Sequence, residues 1–523
     1  METVIASDLH LADAERVDPR RPLWMAYKQR RFFVDDDFLR LLDYLETHAE
    51  EQIELVLAGD VFDFDSIARL PARPPGHVDW LARRRGLGSE EWMSLFKLEC
   101  IIADHPRFFE RLGEFAQRGG RVVVIIGNHD VELCWPSVQR RIREAMGLPA
   151  RSLGTRSLAE HRAIAAAGAA GAPGAAEVLA PASSDRREPL VFCSWFYLSG
   201  KDTFVSHGHQ YDPNCVCRDP IDPLIAMRRR PQVRIPFGDL ATRYLLGGMG
   251  YFNPHATENF IMTARQYVRF FFKHMLRTQP LLLWSWLWGA VVTFAITLWT
   301  HWRPTMRDPL LVEEKVQAVA WRSGVTPPVV RRLHALSVPS AANNPLAILR
   351  ELWLDRALLL LAAIYGAWQI VVHVNIAVPI SMLWVLVPLG LLLPPIFVYA
   401  ASVRPTVFRQ PLLTRERAAL IATITGVRRV VFGHTHVPER RQVGPVEYVN
   451  AGFWSPAFAE PECQRRIGTQ TFVWIRAGGP CGERRAGLWE WPPGATEPRP
   501  YGPAADPQAP APPARDEAPL RAA

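Results

Sequence analysis

Hydrophobic residues in this chain come in short runs that stop abruptly at polar ones. Thr3–Ser7, Ile53–Gly59, Arg121–Gly127, Thr203–Ser206 and Arg428–Gly433 read as buried strands. Between some of them the apolar residues recur at helical spacing, notably in Phe38–Glu50 and Arg107–Gln117. The alternation predicts an α/β protein in which helices cover sheets. Two later runs, Val446–Asn450 and Thr471–Arg476, are expected to complete a sheet.

The middle of the chain follows a different pattern. Leu281–Thr300 carries no charge and includes Trp284, Trp286, Trp288 and Trp299, and Ala357–Val403 contains no Asp, Glu, Lys or Arg. About 20 apolar residues span a bilayer core, so both runs are transmembrane candidates. The second is too long for one span at about 1.5 Å per residue. Asn375 and Pro379 mark a turn that would make it a two-helix hairpin. Ahead of the first run, Arg265, Arg269, Lys273 and Arg277 recur every fourth residue across Glu258–Arg277, with Phe260, Ile261, Val268, Phe271 and Phe272 among them. A basic amphipathic helix of this kind suits an anionic membrane surface.

Other stretches lack periodicity. Pro71–Gly88 reads as a loop with a basic patch at Arg83, Arg84 and Arg85, Ala163–Ser184 as a flexible Ala/Gly/Pro insertion, and Pro492–Ala523 as a disordered Pro/Ala-rich tail. Within the 302–356 connection, Glu313–Gly324 reads as a helix, with a place over the active site as its expected position. The chain is expected to divide into a first α/β part (1–257), a membrane-associated insertion (258–403), a closing part of the same α/β domain (404–491) and the tail (492–523).

Composition narrows the class. The 523 residues are 49% hydrophobic and 21% charged, which excludes a wholly disordered chain. Seven scattered cysteines do not form a secreted disulfide framework. Only Cys215 and Cys217 lie close together, a weak metal signal. The net charge of +8 fits either nucleic acid or an anionic membrane surface. Met1–Ser7 shows no basic region leading into a long apolar run, so the N-terminus is expected to stay in the cytoplasm.

The strand ends carry the chemistry. Asp8-Leu9-His10 ends the first, Gly59-Asp60-Val61-Phe62-Asp63 the second and Gly127-Asn128-His129-Asp130 the third. His207-Gly208-His209 and Gly433-His434-Thr435-His436 end two later ones. In open α/β folds ligands gather at the carboxyl ends of strands. Carboxylate, amide and imidazole donors together suit Mn²⁺, Zn²⁺ or Fe. Any one of these motifs alone is weak; five in order, each at a strand end, point to a metal site.

In these motifs the chain resembles the calcineurin-like metallophosphoesterase superfamily, whose pattern DxH, GDxxD, GNH(D/E), a later His and GHxH is complete here. The resemblance covers roughly Met1–His209 and Arg428–Trp454. It implies a four-layer αββα sandwich, with the hydrophobic helical region as an insertion. It also implies two divalent metals, with Mn²⁺ the leading candidate ahead of Zn²⁺ or Fe. Asp8, His10, Asp60 and His436 would hold one, and Asp60, Asn128, His207 and His434 the other, with Asp60 bridging. His129 would be the catalytic histidine and Asp63 its orienting carboxylate. His207 takes the ligand role ahead of His209, and Asp130 is read as a supporting carboxylate. Phe64 follows Asp63 where protein Ser/Thr phosphatases carry Arg, which argues against that branch. Ser7-Asp8-Leu9-His10-Leu11 and the GDVFD stretch resemble the branch that includes UDP-2,3-diacylglucosamine diphosphatases. Those enzymes usually carry Arg at the place of His129, which leaves that substrate unsecured.

The implied ligands lie on both sides of the hydrophobic block, so an even number of crossings must separate them. Either Ala357–Val403 crosses twice while Leu281–Thr300 lies in the interface, or each crosses once. The flanking arginines Arg404 and Arg409, with the basic helix before the block, place the catalytic side in the cytoplasm, at a bacterial inner membrane. The expectation is a membrane-anchored phosphohydrolase for a phosphate or diphosphate ester, carried on a lipid. A nuclease or phosphodiesterase for a soluble substrate and a non-catalytic membrane scaffold are the alternatives; nucleic acid is disfavoured because no aromatic and basic residues interleave beside the site.

Overall fold

The computed structural model describes residues 1–149, 188–221, 223–225, 232–251, 253, 255, 269, 271–275, 282–302, 309–403, 415–477 and 483–502. The Ala163–Ser184 insertion, most of the basic Glu258–Arg277 helix and the tail beyond 502 lie outside these. The strands in chain order are β1 (Glu2–Ala6), β2 (Ile53–Ala58), β3 (Arg121–Ile125), β4 (Leu190–Cys193), β5 (Phe196–Ser199), β6 (Thr203–Ser206) and β7 (Leu224–Ile225). They continue with β8 (Gln232–Val233), β9 (Arg429–Phe432), β10 (Glu439–Val443), β11 (Val446–Asn450), β12 (Gln470–Ala477), β13 (Arg484–Trp491) and β14 (Arg499–Pro500).

Two mixed sheets form the body. One has the order β14-β13-β12-β1-β2-β3-β4, the other β10-β11-β9-β6-β5. β1 to β4 run parallel, and β6, β9 and β11 run parallel in the second sheet. Side chains alternate across each strand. Thus Val56 and Ala58 of β2 join Ile5, Val123, Val205, Val431 and Val449 in a dry cluster shared by the two sheets. Leu55 and Leu57 turn to the opposite face, against Phe38, Leu41, Leu98, Phe108 and Phe115. These come from helices Asp35–His48, Glu91–Asp104 and Pro106–Gln117. In Pro106–Gln117, Phe108, Phe109, Leu112, Phe115 and Ala116 fall on one face, the spacing a helix needs to bury a stripe. Each such Leu or Phe is worth about 1.5–3 kcal/mol in burial.

On the outer face of the second sheet, Phe196, Phe204, Val430 and Phe432 pack against Val316, Val319 and Ala320, Val330 and Leu333, and Ala418 and Ile421. Helices Pro309–Ser323, Pro327–His334 and Arg415–Thr425 supply these residues. The helix expected over Glu313–Gly324 therefore exists but packs on the outer face of the second sheet rather than over the expected site. Its Val316, Val319 and Ala320 match the apolar sheet face, and that decides its place.

Two further expectations change. Pro71–Gly88 contains a short helix, Trp80–Arg85, capped by Asp79, whose Oδ1 accepts the Ala82 N–H at 2.7 Å. The arginine run lacked the apolar periodicity that would have announced it. The segment after Pro492 begins with structure, since Arg499 pairs with Glu490 and Pro500 with Trp489 as an edge strand. A terminal proline is tolerated there because an edge leaves one side unpaired.

Three helices are long and apolar enough to cross a membrane, at Leu283–His301, Leu354–Ala377 and Met382–Ser402. The second and third pack on each other as the expected hairpin. At its tip Asn375 Oδ1 accepts the Ile380 N–H at 2.8 Å. At its base Tyr399 donates to Asp355 Oδ2 at 2.8 Å, and Arg356 donates to the Val403 carbonyl.

Candidate metal centre

The carboxyl ends of β1, β2, β3, β6 and β9 converge, so residues up to 428 positions apart in sequence become neighbours. Asp8, His10, Asp60, His434 and His436 all have positive φ, between 50° and 66°. Only four other non-glycine residues share that region among those described. Strain of this kind costs about 1–3 kcal/mol per residue and persists where its surroundings over-determine it. Glycines allow the close packing. A Cβ on Gly127 would stand 2.1 Å from Asp60 Oδ1, and one on Gly59, whose φ is +93°, would stand 2.5 Å from the His207 ring.

Backbone carbonyls fix the histidine tautomers. His207 Nδ1 donates to the Ala58 carbonyl at 3.0 Å, and His436 Nδ1 to the His255 carbonyl at 2.9 Å. In both rings this turns Nε2 into the site. His207 Nε2 lies 3.1 Å from Asp60 Oδ2 and 3.2 Å from Asn128 Oδ1. His436 Nε2 lies 3.1 Å from Asp8 Oδ1 and 3.4 Å from His10 Nε2. A donor held on one ring nitrogen while the other faces carboxylates is how proteins present imidazole to a metal. Donor atoms of Asp8, His10 and His436 form one group, and those of Asp60, His207 and His434 another. Asp60 also belongs to a group with His10 and His129. Several His/Asp groups here can therefore hold a metal ion, and the oxygen-and-imidazole chemistry fits a first-row divalent cation.

All nine residues singled out from the sequence meet here, but Asp63 is not the nearest partner of His129. Its Oδ1 is 3.9 Å from His129 Nδ1, while Asp65 Oδ2 and Asp239 Oδ1 are each 3.4 Å away. Asp63 Oδ1 instead accepts the N–H groups of Asp65 and Ser66, closing its own loop, and Oδ2 lies 3.3 Å from His255 Nε2. Asp130 serves as expected: it accepts the Val61 N–H at 2.8 Å and the Gly127 N–H at 2.6 Å, tying two ligand loops together. His209 belongs to none of the donor groups found.

Sequence reasoning did not find Asp65, Asp212, Asp239 or His255. Asp239 sits on the short helix Phe237–Ala241 and accepts the Asn128 Nδ2 hydrogen at 2.8 Å, which turns the amide oxygen toward His207. Asp212 Oδ2 is 3.2 Å from His434 Nε2, and the His255 ring lies against that of His10, tilted by 31° with centroids 3.8 Å apart. Of these, Asp65 alone carried a local signal, two residues beyond the GDxxD motif. Cys215 approaches Asp212 and His434, whereas Cys217 enters the core, so the pair does not act as a unit.

The electrostatics call for positive charge. Burial opposes a proton on His207, yet Asp60 and Asp8 lift its pKa to about 9. Burial likewise opposes charge on His129, but Asp239, Asp60 and Asp65 hold its pKa well above the ordinary imidazole value. Burial would raise the Asp60 pKa, yet His207 and His129 keep it well below the carboxylate range. His10 is the opposite case: burial and the neighbouring His255 push its pKa well down, leaving a neutral ring. No protein-family model and no curated protein matches this chain.

Proposed function

We propose that the chain is a membrane-anchored, dinuclear metal-dependent phosphohydrolase, acting on a phosphate or diphosphate ester presented at the membrane. One observation carries the reading. Two donor groups flank a single carboxylate, Asp60, and a histidine ringed by acids, His129, stands beside it. The two mixed sheets with helices packed on their outer faces support the four-layer sandwich of the calcineurin-like metallophosphoesterases. The apolar hairpin supports the anchor.

In this reading Asp8, His10 and His436 hold one divalent ion and Asn128, His207 and His434 the other, with Asp60 shared. When bound, such a pair supplies hydroxide near neutral pH and neutralises phosphoryl oxygens. The chain's own groups do the rest. Asp239 holds the Asn128 amide in place, and Asp65 and Asp239 face His129 Nδ1. The proton on His129 Nε2 is then the one available to the leaving oxygen, as general acid. With the catalytic side in the cytoplasm, the lipid-carried ester would be one exposed on the inner leaflet.

The test is phosphate release with added Mn²⁺ from an aryl monoester, an aryl diester, nucleoside diphosphate esters and lipid phosphates in detergent. Turnover on one class, lost in His129→Ala while bound metal is retained, is the expected result. A chain that binds no divalent ion would be a scaffold and would sink the proposal.

A further inference from the structure

Helix Leu282–Trp302 has the length and composition of a membrane span, but the chain lies on the catalytic body at both of its ends. Just upstream, Asp239 touches Asn128 and His129, and the His255 ring lies against that of His10. Just downstream, Val316, Val319 and Ala320 pack with Phe196, Phe204 and Phe432 on the second sheet. A single passage through a bilayer between these points would divide the body. The helix also docks along its length. Ala290, Thr293, Thr297 and His301 are buried on one face, and Ala290 packs with Phe237 and Leu354. Val292 and Ile296 reach the main core.

The opposite face is open and apolar. Leu283, Trp284, Trp288, Val291 and Trp299 are 41–67% exposed. This face continues onto helix Trp80–Arg85. Trp80, 55% exposed, meets Trp288 edge-on at 6.3 Å, and the Arg84 guanidinium lies over Trp80 at 5.1 Å. Among the described residues, Arg83, Arg84 and Arg85 have no ion-pair partner. Tryptophan bordered by arginines without an ion pair is the chemistry of the membrane interface, where indoles sit at headgroup level and cations meet anionic lipid.

We infer that Leu282–Trp302 does not cross the membrane but lies in the surface of an anionic leaflet, together with Trp80–Arg85, so that only the Leu354–Ser402 hairpin spans. The inference rests on the reading that the hairpin is in a bilayer. It sets the number of crossings at two and lays the catalytic body on its side against the lipid. The half-buried Arg85 lines a cavity of about 130 Å³ that also contains Arg243 and Asp65, and Asp65 faces His129. The basic edge of the interfacial face thus runs toward the catalytic histidine.

The test reconstitutes the full chain in phosphatidylcholine vesicles containing phosphatidylglycerol. An environment-sensitive fluorophore is attached at Leu283→Cys, Val291→Cys or Ala295→Cys on the helix, or at Ile364→Cys or Leu391→Cys on the hairpin. The wild-type chain, taken through the same labelling, is the blank. Lipids with quenchers at shallow and deep positions report depth. We expect the three helix positions to be quenched alike, best by the shallow quencher, at the roughly 5–10 Å depth of an interfacial helix; the hairpin positions should respond best to the deep one. Replacing Arg83, Arg84 and Arg85 together by Glu should remove the helix quenching and spare the hairpin's. Val291 lying about 12 Å deeper than Leu283, as a crossing helix requires, would overturn the inference. So would a quenched hairpin with unquenched helix positions, which would give the face to a protein partner or a second copy. No quenching at any position would remove the membrane reading itself.

Discussion

Replacing Gly127 by Ala adds one methyl group at the most crowded point of the site. Its Cβ would stand 2.1 Å from Asp60 Oδ1, 2.4 Å from the Asp60 nitrogen and 2.8 Å from Cγ. Non-bonded carbon contacts settle near 3.5 Å, so the Asp60 carboxylate must retreat by roughly 1–1.5 Å. That oxygen also accepts the His129 N–H at 2.9 Å, so the shift carries the loop that bears His129 with it. Overpacking of this kind costs about 1–3 kcal/mol, which a body with several cores survives. A misplacement of about 1 Å at reacting groups costs roughly 100-fold in rate. The assay is Mn²⁺-dependent phosphate release beside Co²⁺ titration, with folding followed by circular dichroism. Gly444→Ala is the control: its φ is +58°, but nothing lies within 4 Å of the added Cβ. It should lose about 1 kcal/mol in stability and no turnover. A folded Gly127→Ala chain with metal affinity and turnover within about threefold of wild type would refute the placement of Asp60 at the centre.

Three further outcomes are expected. In the metal-free chain the His207 pKa rises from 6.5 to about 9 on folding. The stabilisation it gives is therefore full below 6.5 and lost as pH rises through 9; denaturation midpoints should fall across that window, and saturating Mn²⁺, which needs the neutral ring, should reverse the trend. Arg243→Met strips the guanidinium from Asp65, 2.8 Å away and 2% exposed; unfolding should show a loss of about 3–5 kcal/mol, partly restored by adding Asp65→Asn. Leu391→Arg places a charge on a 75% exposed position of the hairpin, at a cost of about 2.5–3.5 kcal/mol of insertion. Membrane-fraction yield should drop, whereas Val437→Arg on the body should leave it unchanged.

Six of the seven parallel strands were legible because each is a closed apolar run with a polar stop; β4, Leu190–Cys193, was not among the runs read. Thr203–Ser206 and Val446–Asn450 match β6 and β11 at both ends. The hairpin was legible for the same reason, with Asn375 and Pro379 breaking an otherwise uncharged stretch. Residues that reach the site by long-range packing stayed hidden. Asp239 and His255 lie in segments without a strand end or a motif, and only the docking of Phe237–Ala241 beneath an apolar helix brings Asp239 to Asn128. Asp63 is within 3.9 Å of His129 but is not its nearest carboxylate: a motif gives residue order, whereas Asp65 and Asp239 come closer, each at 3.4 Å. Helix Leu282–Trp302 was ambiguous because uniform apolarity does not record which face a neighbour covers.

The hairpin's position within the chain sets an order of manufacture. Asp8, His10, Asp60, Asn128 and His207 leave the ribosome before it, and His434 and His436 after it. At about 5–20 residues per second, the stretch from His207 to His434 takes roughly 10–45 s to make. Throughout that interval β9, which leads into the last two histidines, is missing from the second sheet, and neither donor group is complete. On the proposed reading the hairpin enters the lipid while the centre is still unfinished. On that same reading the nascent chain would be inert in the cytosol and could hydrolyse the proposed ester only after reaching the membrane.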